Sequence, residues 1–382
     1  MVLIRALGSN SGGQLATGDM EDAHYLATTQ FSQEGNVDGE DVRAKWRVQG
    51  GGNHAYAWTD NGPTLLACGS NADGELAMGD GVRGPVLCWT PVPFPGDFVR
   101  QVACGWSHTL LLNDLGQVFA TGSGAFGQLG VGPLPKGATA KWVRVAASTG
   151  SVFVSVACGM RHSLALDKDG VVYGWGANRC GQLGIAPDRR SPNILAATPV
   201  EGLLPIAMIA CGRSHSILIA QDYKTVYVAG QDKYAQCGPG SSQSGTWQTF
   251  QLPRAAVKLC SGWDFGAVLL EPNDKKFSNN VVMWGRADQG QLAHRVDGSY
   301  RRELGYVELP EVSDIACGSS HTVAMTAGGS VYMWGWNEHG NAGDPTLANV
   351  YSPLCTLDEQ PAKIEHRAMG IGCGYGNSYI IS

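Results

Sequence analysis

The stretch Val102-Ala103-Cys104-Gly105-Trp106-Ser107-His108-Thr109-Leu110 returns three times: as Val156-Ala157-Cys158-Gly159-Met160-Arg161-His162-Ser163-Leu164, as Ile209-Ala210-Cys211-Gly212-Arg213-Ser214-His215-Ser216-Ile217, and as Ile315-Ala316-Cys317-Gly318-Ser319-Ser320-His321-Thr322-Val323. Weaker copies stand at Gly50-Gly51-Gly52-Asn53-His54, at Leu259-Cys260-Ser261-Gly262 and at Cys373-Gly374, which makes seven in 382 residues. A period of about 50 residues marks propellers and arrays, whose units cannot bury their apolar faces alone. Inside one copy, His162-Ser163-Leu164-Ala165-Leu166 and Val171-Val172-Tyr173-Gly174-Trp175-Gly176 flank Asp167-Lys168-Asp169-Gly170. Two apolar runs around an Asp-Gly turn predict a β-hairpin. A glycine-bounded loop follows each hairpin, at Gly8, Gly69, Gly122, Gly176, Gly230, Gly285 and Gly335.

The chain opens on a second hairpin strand, Leu3 to Leu7, and closes on a strand pair between Gly370 and Ile380. The two halves of one unit therefore sit at opposite ends of the chain. Joining them in one blade closes a ring and removes free sheet edges, which an open solenoid does not require. The expectation is an all-β fold: a single seven-bladed β-propeller over residues 1–382, closed by pairing N- and C-terminal segments in one blade.

Composition narrows the function. Only 16% of residues are charged, the net charge is −6, and the 27 Lys and Arg form no long run. Contacts along a phosphate backbone need clustered basic residues, so direct nucleic-acid binding is not expected. No apolar run approaches a membrane span, and the start lacks the layout of a signal peptide, so an intracellular, soluble protein is expected. Of the 11 cysteines, Cys104, Cys158, Cys211, Cys260, Cys317 and Cys373 keep step with the repeat and read as small buried apolar residues rather than a disulfide framework.

The unit built from Ala-Cys-Gly-x-x-His-Ser/Thr, Gly-x-Val-Tyr-x-Trp-Gly and Gly-Gln-Leu-Gly resembles the regulator of chromosome condensation repeat over essentially the whole chain. Within that family, Tyr332-Met333-Trp334-Gly335-Trp336-Asn337-Glu338-His339-Gly340-Asn341-Ala342-Gly343 and Ala6-Leu7-Gly8-Ser9-Asn10 are most similar to its fungal tubulin-suppressor branch. That resemblance implies a non-catalytic adaptor, cytoplasmic and also nuclear, that forms a heterodimer with a small CSL-type zinc protein. It would support Elongator-dependent modification of tRNA wobble uridine and diphthamide synthesis on elongation factor two. The alternative that the family implies is guanine-nucleotide exchange on a Ran-like small GTPase.

His54, His108, His162, His215 and His321 share one repeat position, filled by Phe265 and Asn377 elsewhere. Catalysis does not need five copies around a ring, so they read as hydrogen-bonding struts between blades. Cys-x-x-x-His recurs without any Cys-x-x-Cys, which argues against zinc. Gly122-Ser123-Gly124-Ala125-Phe126-Gly127 fits Gly-x-Gly-x-x-Gly, yet it is one of seven loop copies with no helix after it, so no nucleotide cofactor is expected. Trp175, Trp284 and Trp334 share one strand phase and read as packing between blades.

Departures from the repeat are the partner-binding candidates. Trp336 is an added aromatic in the seventh glycine loop, with Glu338 and His339 beside it and Asn341 where Gln is usual. Trp106 and Trp263 occupy equivalent positions just after the Cys-Gly strand, and Asp264 stands beside Trp263. Loop aromatics bury much area at low entropy cost, which suits interface anchors. Sequence leaves open whether Trp106, Trp263 and Trp336 share one surface. The acidic segment from Asp19 to Asp41, and Asn273-Asp274-Lys275-Lys276, read as solvated insertions.

Overall fold

The computed structural model describes residues 2–33, 45–60, 62–82, 84–134, 137–145, 150–188, 190–241, 246–272, 280–295, 298–357 and 367–382. Its strands form seven antiparallel sheets of four. Blade one runs from the strand Trp46–Gly50 to Val86–Pro91, blade two from Val99–Cys104 to Ala138–Arg144, and blade three from Phe153–Cys158 to Asn193–Pro199. Blade four runs from Ile206–Cys211 to Gln248–Gln251, blade five from Ala256–Ser261 to Tyr300–Val307, and blade six from Val312–Cys317 to Asn349–Cys355. Blade seven joins the C-terminal strands Gly370–Cys373 and Asn377–Ile381 to the N-terminal strands Ile4–Gly8 and Ala23–Thr28. The seam pairs Ile4 with Ile381, Ala6 with Tyr379 and Gly8 with Asn377, so two strands from each end complete the ring. Asn273-Asp274-Lys275-Lys276 and the acidic residues Glu34, Asp38, Glu40 and Asp41 lie outside the described residues.

The second strand of each blade is buried on both faces, as in His162–Asp167 and His215–Ala220, because a neighbouring blade covers each side. Such strands read as continuous rather than alternating apolar runs. The sequence-predicted hairpin is the pair of middle strands. The inner strand lines the central channel, and the outer strand, half exposed and mixed in composition, as in Gln248–Gln251 and Val86–Pro91, completes the sheet without carrying a repeat signal. A register shift recurs between the third and outer strands, for example between Met333 and Gly335, adding local twist where the blade splays outward.

Two repeat features have direct steric causes. A Cβ on Gly159 would lie 2.1 Å from Cε1 of His162 and 2.6 Å from the carbonyl oxygen of Gly212 in the next blade. Gly105, Gly212 and Gly318 are under the same constraint, so the Cys-Gly-x-x-His spacing records a histidine ring folded over glycine. Cys260 corrects the sequence reading. Ser261, not Cys260, pairs with Gly266 as Cys104 pairs with Thr109, so Cys260 is one residue out of step. The in-step ring is Cys104, Cys158, Cys211, Cys317 and Cys373, with Gly50 and Ser261 in the other blades. All eleven cysteines are free thiols.

Candidate functional site: the plugged channel mouth

Histidine struts between neighbouring blades set the face. Nε2 of His54 lies 2.9 Å from Oγ1 of Thr109, that of His108 3.0 Å from Oγ of Ser163, and that of His162 3.1 Å from Oγ of Ser216, each in the next blade. His321 Nε2 meets the Asn377 carbonyl at 3.3 Å. A carbonyl only accepts, so that ring carries its proton on Nε2. Ser163 Oγ donates to the Gln128 carbonyl at 2.8 Å, which sets the same tautomer for His108. Burial holds these rings neutral, lowering His54, His108 and His162 to about 3 and His215 and His321 to about 4. Trp175, Trp284 and Trp334 donate Nε1–H to the carbonyls of Gln128, Gln236 and Gln291 in the preceding blade. Both groups are inter-blade struts, as their repetition predicts.

Two residues before each strut position the turn reaches the channel mouth. There the seven blades place Gly52, Trp106, Met160, Arg213, Trp263, Ser319 and Tyr375. Backbone bonds link these turns sideways: Gly52 N–H to Gly105, Trp106 to Met160, Arg213 to Trp263, Trp263 to Ser319, Ser319 to Tyr375, and Tyr375 to Gly51. Three of the side chains close the opening. The ring centroids of Trp106 and Trp263 are 5.9 Å apart, those of Trp106 and Tyr375 6.0 Å, and those of Trp263 and Tyr375 5.6 Å. Trp106 remains 38% exposed, and the Arg213 guanidinium covers the Trp263 ring at 5.2 Å. Tyr375 was missed by sequence reasoning, although its phase is that of Trp106 and Trp263.

The glycine loops emerge on this same face, since Trp336 N–H bonds to the Ser320 carbonyl and Ser123 N–H to the Ser107 carbonyl, tying loops to mouth turns. A Cβ on Gly376, next to Tyr375, would lie 4.0 Å from the Trp336 ring. Trp106, Trp263 and Trp336 thus share one surface. Trp336 meets His339 edge-on at 5.0 Å, and His339 Nδ1 donates to Asp22 at 2.6 Å. Asp22 also accepts from Asn10 N–H at 2.8 Å, while Asp19 accepts from Thr17 Oγ1 at 2.9 Å. The acidic segment from Asp19 to Asp22 is therefore a built part of the face, not a solvated insertion, and Ala23–Thr28 is a blade strand.

Two sequence candidates are interior. Asp264 is 5% exposed, accepts from Gln236 Nε2 at 3.2 Å and faces Arg286 at 3.7 Å, with its acidity weakened chiefly by burial. Asn341 is fully buried at the usual glutamine position. Elsewhere that glutamine's Oε1 accepts from the N–H two residues earlier, as Gln128 does from Phe126 at 2.8 Å and Gln291 from Gln289 at 2.9 Å. Asn341 is one methylene shorter and turns instead to the Trp336 carbonyl at 2.5 Å. Both residues shape the face from beneath. Trp336 and His339 are half-buried on it, and Glu338 is exposed.

Charge divides the face. Blades three and four carry the exposed Arg161, Arg179, Arg213 and Lys233, blade five pairs the exposed Asp288 with Arg286 at 2.8 Å, and Asp19, Glu21, Asp73 and Glu338 stand exposed on blades seven, one and six. Among the described residues no group of three or more His, Cys, Asp or Glu is placed to hold a metal ion, and no helix is long and apolar enough to cross a membrane.

The family model described as the RCC1-like domain matches residues 4–380. The chain belongs to the RCC1-like domain family. It is 32% identical to the secretion-regulating guanine nucleotide exchange factors of Bos taurus and Mus musculus, over 98% of this chain and 82% of each relative. It is also 25% identical to an RCC1 repeat-containing protein of Schizosaccharomyces pombe, over 99% of this chain and 98% of that one. Among solved structures, Prp20p from Saccharomyces cerevisiae covers the whole RCC1-like chain with a TM-score of 0.81 at 20% identity, with 91% of Prp20p covered. Human WBSCR16 does so with a TM-score of 0.79 at 21% identity, with 99% covered. At such identities these two similarities carry the fold alone.

Proposed function

We propose that this RCC1-like propeller works by docking a folded protein on its plugged face, and that the partner is a small GTPase whose guanine-nucleotide exchange it promotes. The observation that carries the docking reading is the convergence of Trp106, Trp263, Tyr375 and Trp336 on one face, between a basic sector on blades three and four and an acidic one on blades six, seven and one. Aromatic anchors encircled by charged residues are the usual composition of a protein-binding hot spot. The exchange reading is supported by relatives of that name matched over nearly the whole chain. Such a factor acts by stabilising a nucleotide-free partner and needs no nucleophile or base of its own.

A second reading rests on the blade-six loop, where Trp336, Glu338 and His339 depart from the repeat as in the tubulin-suppressor branch. In that reading the same face forms a heterodimer with a small CSL-type zinc protein, serving tRNA wobble-uridine modification and diphthamide synthesis.

The test is tagged purification from cell extract, with zinc analysis of what co-elutes and a nucleotide-release assay on any GTPase recovered. Recovery of a GTPase whose bound fluorescent GDP is released faster with the propeller supports exchange. A stoichiometric zinc protein and no accelerated release overturns exchange in favour of the heterodimer.

A further inference from the structure

The out-of-step cysteine has a chemical consequence. In-step thiols point back toward the preceding blade, as Cys158 Sγ does to the Ala103 carbonyl at 3.3 Å. Cys260, displaced by one residue in a strand, points the other way and meets the Ile315 carbonyl of blade six at 3.3 Å. Cys317, two residues beyond Ile315, is in step and so faces blade five; its Sγ lies 3.8 Å from Thr322 Oγ1 and within electrostatic reach of the Cys260 thiol. No other pair of blades sets an out-of-step thiol against an in-step one among the described residues. Both residues line a channel cavity of about 420 Å³ that also carries, at the end where the inner strands begin, Arg47, Asp60, Arg100 and Lys258. Since the opposite mouth is plugged, small solutes reach the pair from that end.

The pair is asymmetric. The hydrogen bond from Cys317 and the Lys258 ammonium favour the Cys260 thiolate against burial and the Asp314 carboxylate, so its acidity is raised, whereas burial pushes the Cys317 thiol well up. Lys258 itself is held in place by an ion pair with Asp314. A channel-lining thiol whose anion is favoured and which stands beside a second thiol is the arrangement that oxidants select.

We propose that Cys260 and Cys317 form a peroxide-oxidisable dithiol that reversibly crosslinks blades five and six from inside the channel. The Cys260 thiolate attacks the outer oxygen of a hydroperoxide. The O–O bond breaks, the sulfur becomes a sulfenic acid, and the leaving oxygen departs as alcohol, or as water from hydrogen peroxide. The Cys317 sulfur then attacks the sulfenic sulfur; the S–S bond forms, the S–O bond breaks, and the hydroxyl leaves as water with the Cys317 proton. Two thiols lose two electrons and the hydroperoxide gains them. Thiol–disulfide exchange with a dithiol reductant returns the pair.

The full chain, treated with micromolar hydrogen peroxide, is alkylated, digested without reduction and mapped by mass spectrometry. The expected result is a Cys260–Cys317 linked peptide as the principal disulfide, removed by dithiothreitol, formed at the wild-type rate in Cys104→Ser and several-fold more slowly in Lys258→Met. In Cys317→Ser, dimedone should trap Cys260 as the sulfenic acid. Oxidation spread evenly over the in-step cysteines, or Cys260 oxidised to the sulfinic acid in wild type without a linked peptide, overturns the proposal.

Discussion

Two concentric sets of residues, only two positions apart in each repeat, obey opposite rules. The strut position is histidine in five blades, buried and hydrogen-bonded to the next blade. The mouth position is Gly52, Trp106, Met160, Arg213, Trp263, Ser319 and Tyr375, no two neighbouring blades alike. A strut faces the same environment seven times, because each blade presents the same groove to its neighbour. A mouth residue faces solvent or a partner, and nothing in the ring requires it to repeat. Sameness records the fold here, and difference marks the surface that can recognise something.

Acid should separate the two sets most strongly. The strut histidines titrate at about 3 to 4 when folded and near 6.5 when unfolded, so the unfolded chain binds more protons between those values. Their contribution to stability is complete above about pH 6.5 and is lost as pH falls toward 4, at up to about 1.4 kcal/mol per pH unit for each histidine. Urea midpoints measured from pH 7.5 to 4.5 should fall steeply below pH 6.5. A flat profile would mean that the rings are not held neutral.

The next largest effect is Gly105→Ala. Its Cβ lands 2.0 Å from Cε1 of His108, and the loss should be about 3 kcal/mol by denaturant titration, with partner affinity unchanged for folded molecules. At the mouth the balance reverses. Trp106→Ala should cost about 1 kcal/mol of stability but weaken the partner about 30-fold by calorimetry, the loss typical of a hot-spot aromatic. Smallest is Glu338→Gln, with stability within about 0.5 kcal/mol and a modest, salt-dependent change in association rate, measured by stopped flow at two ionic strengths.

The same division explains what the sequence made legible. Middle strands, glycine loops, histidine struts and ring closure follow from packing that recurs seven times, and all are readable as a period. Outer strands such as Gln248–Gln251 carry polar, half-exposed residues with little packing to constrain them, so they leave no pattern. Cys260 misleads because one residue of offset turns a side chain to the other face of a strand while barely altering the spacing. Asn341 was readable as interior, since Gln14, Gln128, Gln182, Gln236 and Gln291 at its phase are all buried; its departure from the repeat masked that phase. Tyr375 was hidden in a weak copy lacking the histidine that marks five of the others.

The central claim is that the plugged face, and not the open end of the channel, docks the partner. It is tested most directly by purifying three tagged forms from the same extract and quantifying what co-elutes: wild type, Trp106→Ala/Trp336→Ala, and Leu115→Ala/Leu204→Ala, which removes two side chains 62% and 54% exposed at the opposite end. The expected result is a stoichiometric partner held by wild type and by the opposite-end variant and lost from the mouth variant. Retention by the mouth variant with loss from the opposite-end variant would contradict it.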